Sequence, residues 1–181
     1  MSSSRPLTRA DVERLLLAAR GSDKLNLSGQ NLKGIDLSYC QLRGINLWRA
    51  DLFEADLRGA DLTGANLSAH LADAILANAI LTNAILANAG LPYANLRGAI
   101  LIGANLFEAD LREAILIGAD LTGADLRKAR LVRTHLRKAI LMGADLAGAD
   151  LEEATVTHEQ LRTAKSLNGA RNLDTIRKPK P

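Results

Sequence analysis

The sequence predicts an all-β solenoid, and three observations carry that expectation. Leucine returns every fifth residue from Leu27 to Leu151, with one slip between Leu67 and Leu71. Alanine stands two residues before nearly every such leucine from Ala50 to Ala154, Thr134 being the exception. Eleven of the fourteen glycines sit two residues after a leucine of this series. A helix fits this pattern poorly. A five-residue step turns about 500° on a helix, so the leucines would wind over every face. Asn, Asp and Gly at nearly every turn also disfavour helix.

Each quintet reads physically as one short side and one corner. Successive side chains of an extended chain point to opposite faces. Alanine and leucine therefore point inward, and the residue between them, usually Asn or Asp, points out. The residue after leucine points out again, as at Arg43, Trp48, Phe53 and Arg112. The fifth residue turns the corner. Gly and Asn accept positive φ most readily; Glu108 and Lys128 occupy the same position, so positive φ is not expected at every corner. A chain that turns every five residues must wind, and stacked coils pair along the axis about 4.8 Å apart.

The quintets Ala-Asp-Leu-Arg-Gly (55–59), Ala-Asn-Leu-Ser (65–68) and Ala-Asp-Leu-Thr-Gly (119–123) resemble the A(D/N)LXX pentapeptide repeat family, most of all its Leu-centred cyanobacterial members. The resemblance covers roughly residues 25–156. It implies a right-handed quadrilateral β-helix with four quintets per coil. The twenty-six quintets would then make six and a half coils, a rod on the order of 30 Å long.

The expected organisation has four parts. Residues 1–24 form an N-terminal segment with a capping helix at about 8–20. Thr8 and Asp11 have capping-box spacing, Val12, Leu15, Leu16 and Ala19 form an apolar stripe, and Gly21 ends the helix. The solenoid occupies 25–156. Gln30, Ile35, Cys40 and Ile45 replace the inward alanine in its first coil, so Cys40 reads as a small buried apolar side chain. Loss of one residue at Leu67–Leu71 implies a tight corner beside His70. A second capping helix is expected within 157–170, from Thr157-His158-Glu159-Gln160 to about Ser166, and 171–181 reads as a disordered basic tail.

Composition narrows function. Aromatics make up only 3% of the chain and the net charge is +3, too mild to demand nucleic acid or membrane. A single cysteine excludes an internal disulfide framework and suits a cytoplasmic, reducing compartment. The three histidines are scattered without metal-ligand spacing. The repeated aspartates read as corner formers rather than acid–base pairs, and the glycines follow the repeat rather than a phosphate loop. No enzyme, cofactor or metal is expected.

Three surface features stand above the repeat. Ile80, Ile100 and Ile140 replace outward Asx residues and, with four quintets per coil, share a face with Ile102 and Met142. Ile75, Ile115 and Ile117 lie on the adjacent face. Outward isoleucines gather where something covers them, although β-propensity alone is the plainer explanation. A basic belt, Arg127, Lys128, Arg130, Arg133, Arg137 and Lys138, lies in a stretch without acids from Leu126 to Ala144. Trp48 and Phe53 are outward and expected beneath the N-terminal helix. The leading functional expectation is an interaction scaffold with a protein partner, or with itself through an apolar face or a solenoid end. Nucleic acid and membrane are disfavoured. The alternative that the resemblance offers is a DNA-mimicking modulator of DNA gyrase or topoisomerase, of the quinolone-resistance kind, which this net-positive chain suits poorly.

Overall fold

The computed structural model describes residues 5–177. From Asn26 onward the chain winds into stacked four-sided coils. Each side pairs with the next coil in parallel, at a separation of 20 residues, as in Asn26 with Asn46 and Ile80 with Ile100. Four columns result. Side 1 runs through Asn46, Asn66, Ile85 and Asn105; side 2 through Asp51, His70, Gly90 and Asp110; side 3 through Asp56, Ile75, Asn95 and Ile115; side 4 through Asp61, Ile80, Ile100 and Asp120.

Three backbone bonds per quintet build the ladder, one of them from the corner amide to the following coil, as Arg49 N to the Ser68 carbonyl at 2.8 Å. The leucine amide donates to the following coil, as Leu47 N to the Asn66 carbonyl at 2.9 Å, and the outward residue donates to the preceding one, as Asn66 N to the Ile45 carbonyl at 2.9 Å. The corner closes on itself. Ala65 N donates to the Leu62 carbonyl at 3.0 Å across Gly64, whose φ is 66°. That combination is a type II turn, which requires positive φ at its third residue.

Here the structure corrects the reading of Glu108 and Lys128. Both are left-handed, with φ of 55° and 58°. Every leucine-centred quintet except that of Leu67 uses a left-handed corner residue, including Tyr39, Arg49 and Glu113. The turn geometry that closes a four-sided coil is compulsory, and non-glycine residues bear a strain of about 1–2 kcal/mol for it. The Leu67 quintet has lost this residue, and the separation falls to 19 between Asp51 and His70.

The core is a column of leucines and alanines along the axis. Leu27 to Leu151 are all at most 2% exposed, and the alanines between them are nearly as buried. At full burial each leucine contributes about 1.5–3 kcal/mol. Thr134, in an alanine position, is fully buried and donates its hydroxyl to the Leu111 carbonyl at 2.7 Å. The outward Asx residues hold the corner from outside. Asn46 Oδ1 accepts from Trp48 N at 3.0 Å and Asp125 Oδ1 from Arg127 N at 3.1 Å.

Helix α1, Arg9–Ala19, covers the first coil. Thr8 and Asp11 form a reciprocal capping box. The Thr8 backbone N–H, then Arg5, hold the Asp11 carboxylate well below its ordinary range. Val12 is fully buried and Leu16 and Ala19 pack on the core, but Leu15 is exposed, and the left-handed residue ending the helix is Arg20 rather than Gly21. Arg9 and Leu7 fasten the cap through the Ser38 and Asn31 carbonyls. Cys40 is half-buried beside the core, and burial raises its thiol pKa.

The C-terminal end departs most from expectation. Helix α2, His158–Arg162, is only five residues and replaces one side of a coil rather than running to Ser166. Gln160 explains how. Its side-chain amide donates to the Ala139 carbonyl, where the next rung's amide would have donated, and also to the Leu136 carbonyl, both at 2.8 Å. The chain then resumes winding. Ser166 pairs with Asp145, Arg171 with Asp150 and Arg177 with Thr155. Residues 171–177 are therefore ladder, not tail; 178–181, the rest of the expected tail, lie outside the described residues, as does the start of the N-terminal segment, 1–4.

Candidate functional site

Side 4 carries the isoleucine column, and the ladder fixes its register. Ile80, Ile100, Asp120 and Ile140 are successive rungs, with Ile102 and Met142 two residues beyond Ile100 and Ile140 on the same side. Ile140 and Met142 are 48% and 59% exposed, Ile100 and Ile102 somewhat less, and Ile80 is half-buried. Ile75 and Ile115 stand on side 3, separated by Asn95, with Ile117 beside Ile115; all three isoleucines are half-buried. An isoleucine here cannot accept the corner hydrogen bond that an Asx at the same position makes. Asp120, the one Asx in the column from Ile80 to Ile140, does accept it, from Thr122 N at 2.9 Å and the Thr122 hydroxyl at 2.6 Å.

Most of the basic belt is ion-paired. Arg127 pairs with Asp125, Lys128 with Glu108, Arg130 with Asp110, and Arg133 with Glu153 and Glu113. Arg127 in turn holds Asp125 below the ordinary carboxylate range. Arg177 and then Arg133 do the same for Glu153. Most of these acids stand one coil above or below, about twenty residues away in sequence, so a linear stretch without acids hides them. Arg137 and Lys138, on side 3 and its edge with side 4, have no ion-pair partner among the described residues.

The aromatic expectation also changes. Phe53 stacks on His70, with ring centroids 5.9 Å apart, and His70 Nδ1 lies 3.1 Å from Asp51. Trp48 is exposed beneath the Arg49 guanidinium, 4.3 Å from its ring centroid. Neither ring needs the N-terminal helix. Ile85 and a C-terminal cleft are among the exposed apolar features that the sequence reading missed. Ile85 begins side 1 just past the corner from side 4. At the C-terminal end, a cleft of about 230 Å³ is lined by His158, Leu161, Arg162, Leu167, Leu173 and Ile176. The signal for the cleft was Leu167-Asn168-Gly169-Ala170, which repeats the solenoid pattern of Leu146-Ala147-Gly148-Ala149. Among the described residues, no three His, Cys, Asp or Glu side chains are grouped to hold a metal, and no helix is long and apolar enough to cross a membrane.

Four-sided coils of Leu-centred quintets are the defining property of one class, and comparison agrees. The pentapeptide repeats family model matches residues 26–68, 69–103, 93–127, 104–141 and 119–157. The chain belongs to the pentapeptide repeat family, whose fold is the right-handed quadrilateral β-helix. Among solved structures it is 35% identical to HetL, a pentapeptide repeat protein involved in heterocyst differentiation regulation from the cyanobacterium Nostoc sp. strain PCC 7120, over 84% of this chain and 74% of HetL, with a TM-score of 0.28. It is 28% identical to the pentapeptide repeat protein Rfr23 from the cyanobacterium Cyanothece 51142, over 71% and 93% of the two chains, with a TM-score of 0.34. Likeness to QnrB1, a plasmid-mediated fluoroquinolone resistance protein, is 19% over 79% of this chain and 84% of that one, with a TM-score of 0.38. No curated protein matches.

Proposed function

We propose that the chain is a non-enzymatic scaffold that docks a partner protein on sides 3 and 4. The observation that carries this is the isoleucine column. At Ile80, Ile100 and Ile140 the chain forgoes the corner hydrogen bond that fifteen Asx positions make elsewhere. Such a bond is worth about 0.5–1.5 kcal/mol. In exchange it presents clustered apolar surface, which is what a covered face needs. The rigid ladder beneath supplies pre-organisation, so docking orders little backbone.

DNA mimicry fits less well. A mimic needs free carboxylates in rows, and Asp56, Asp110, Asp125 and Asp150 are each held by an arginine. A cytoplasmic setting remains part of the proposal, resting on the single cysteine. The test is the double variant Ile100→Lys with Ile140→Lys, checked for an unchanged circular dichroism spectrum. It should lose either self-association in size-exclusion light scattering or capture of the partner from the native host. Unchanged mass and unchanged capture would mean that this face meets only solvent. A supercoiling assay with gyrase should show no effect at stoichiometric excess.

A further inference from the structure

We infer that sides 3 and 4 together receive an acidic amphipathic helix of the partner protein. This rests on the scaffold reading above and adds the chemistry of what docks. The first observation is segregation of charge. From the third to the sixth coil, sides 3 and 4 hold a single carboxylate, Asp120, and its Oδ1 is already taken by Thr122. Arg97, Arg137 and Lys138 stand on the same surface without an ion-pair partner among the described residues. Elsewhere on those coils the cations are compensated, as Arg112 by Asp110 and Arg133 by Glu153. The flanking carboxylates are Asp56 and Asp61, one rung below Ile75 and Ile80, and Asp73 and Glu113 on the far edge of side 3, where Glu113 meets the Tyr93 hydroxyl and Arg133.

The second observation is the edge between the two sides. Its corner residues in the fourth and fifth coils are Gly98 and Gly118, both left-handed. A Cβ on Gly118 would meet nothing within 4 Å. Gly98 and Gly118 add no side chain to this edge, although the Asn78 amide lies over Gly98, so sides 3 and 4 meet across a low corner in these two coils.

Dimensions then select the occupant. Four rungs at about 4.8 Å span about 14 Å, the length of a helix of about ten residues. Arg97 and Arg137 stand in one column two rungs apart, about 10 Å. Carboxylates two turns apart on a helix are separated by about 10.5 Å. An apolar stripe on that helix would lie against the isoleucines, with its acidic edge toward the arginines, giving complementary potentials that fix orientation. A lipid surface is the poorer match. Electrostatic membrane binding calls for about four to eight clustered cations, and the exposed Trp48 lies on side 1, away from this surface.

The test is selection from a displayed library of helical peptides about 16 residues long, with randomised charge and apolar positions, on the immobilised full chain. Enriched peptides should be net acidic with apolar residues at i, i+3 and i+4. They should lose at least about tenfold in affinity both for Arg97→Glu with Arg137→Glu and for Ile100→Lys with Ile140→Lys. Peptides that need the isoleucines but bind the arginine variant equally well, or show no acidic bias, would overturn the inference and leave the scaffold reading standing. Peptides indifferent to both variants, or no enrichment over bare support, would overturn both. Cosedimentation with vesicles of phosphatidylcholine and about 30% phosphatidylserine, lost in the arginine variant, would reassign the surface to lipid and overturn it too.

Discussion

Gln160 closes the solenoid by standing in for a missing rung, and Gln160→Met tests this at nearly constant volume. The substitution removes donors to two carbonyls and the acceptor for Thr157 N. The Leu136 carbonyl keeps Ala139 N at 2.9 Å, so it is not orphaned. The Ala139 carbonyl and the Thr157 amide are. Each unsatisfied buried group costs about 1–3 kcal/mol, and the half-exposed setting of Gln160 favours the lower end. The expected loss is about 2–3 kcal/mol, confined to α2 and the ladder from Ser166 to Arg177. Amide exchange read by mass spectrometry should show faster exchange there and unchanged protection in the middle coils. Gln160→Glu adds a signature. A carboxylate facing two carbonyl oxygens has its pKa raised in the folded state, so its ionisation is destabilising. The penalty is present above the unfolded value, about 4.3, and relieved as pH falls below it. A Gln160→Met variant that melts within about 0.5 kcal/mol of the parent, with exchange unchanged at 166–177, would refute the reasoning.

Three further predictions follow from the core and corners. Leu106→Ala in a middle coil should cost about 2–5 kcal/mol by urea titration, because its burial leaves no route for solvent to fill the gap. Gly64→Ala should cost about 1 kcal/mol through backbone strain alone, since its Cβ would meet open space; Gly59→Ala should cost more, its Cβ falling 2.6 Å from the Tyr39 ring. The Asp11 carboxylate, with its folded pKa depressed, stabilises the α1 cap above its unfolded pKa and ceases to as pH falls through the folded value. Asp11→Asn should therefore flatten the acid dependence of α1 exchange.

Much of this molecule was written in its leucines. Their beat gave the core, the corners and the four-sided coil, because a single buried shape repeated without interruption leaves few alternatives. What stayed hidden has two physical causes. Corner strain is set by closure of the coil, which overrides the local preference of Glu108 or Lys128 for negative φ. Charge pairing acts between residues twenty apart, so Arg130 looked free while Asp110 lay one rung away. The last coil was missed because α2 interrupts the beat by one residue more than a quintet allows. The candidate surface was legible on side 4 through Ile80, Ile100 and Ile140, but Arg97 could not be singled out before its neighbours were known to lack acids.

Register is the claim on which every surface assignment depends. In a Cys40→Ala background, Thr82→Cys with Ile102→Cys places two thiols on adjacent rungs of side 4, where Asn83 N already donates to the Ile102 carbonyl at 2.9 Å. Their Cα atoms should lie about 5 Å apart, within disulfide range. Thr82→Cys with Arg97→Cys places them on different sides. Mild oxidation followed by peptide mapping should find an intramolecular disulfide in the first pair and free thiols in the second; a disulfide in the second pair, or none in the first, would contradict the four-quintet coil and the surface built on it.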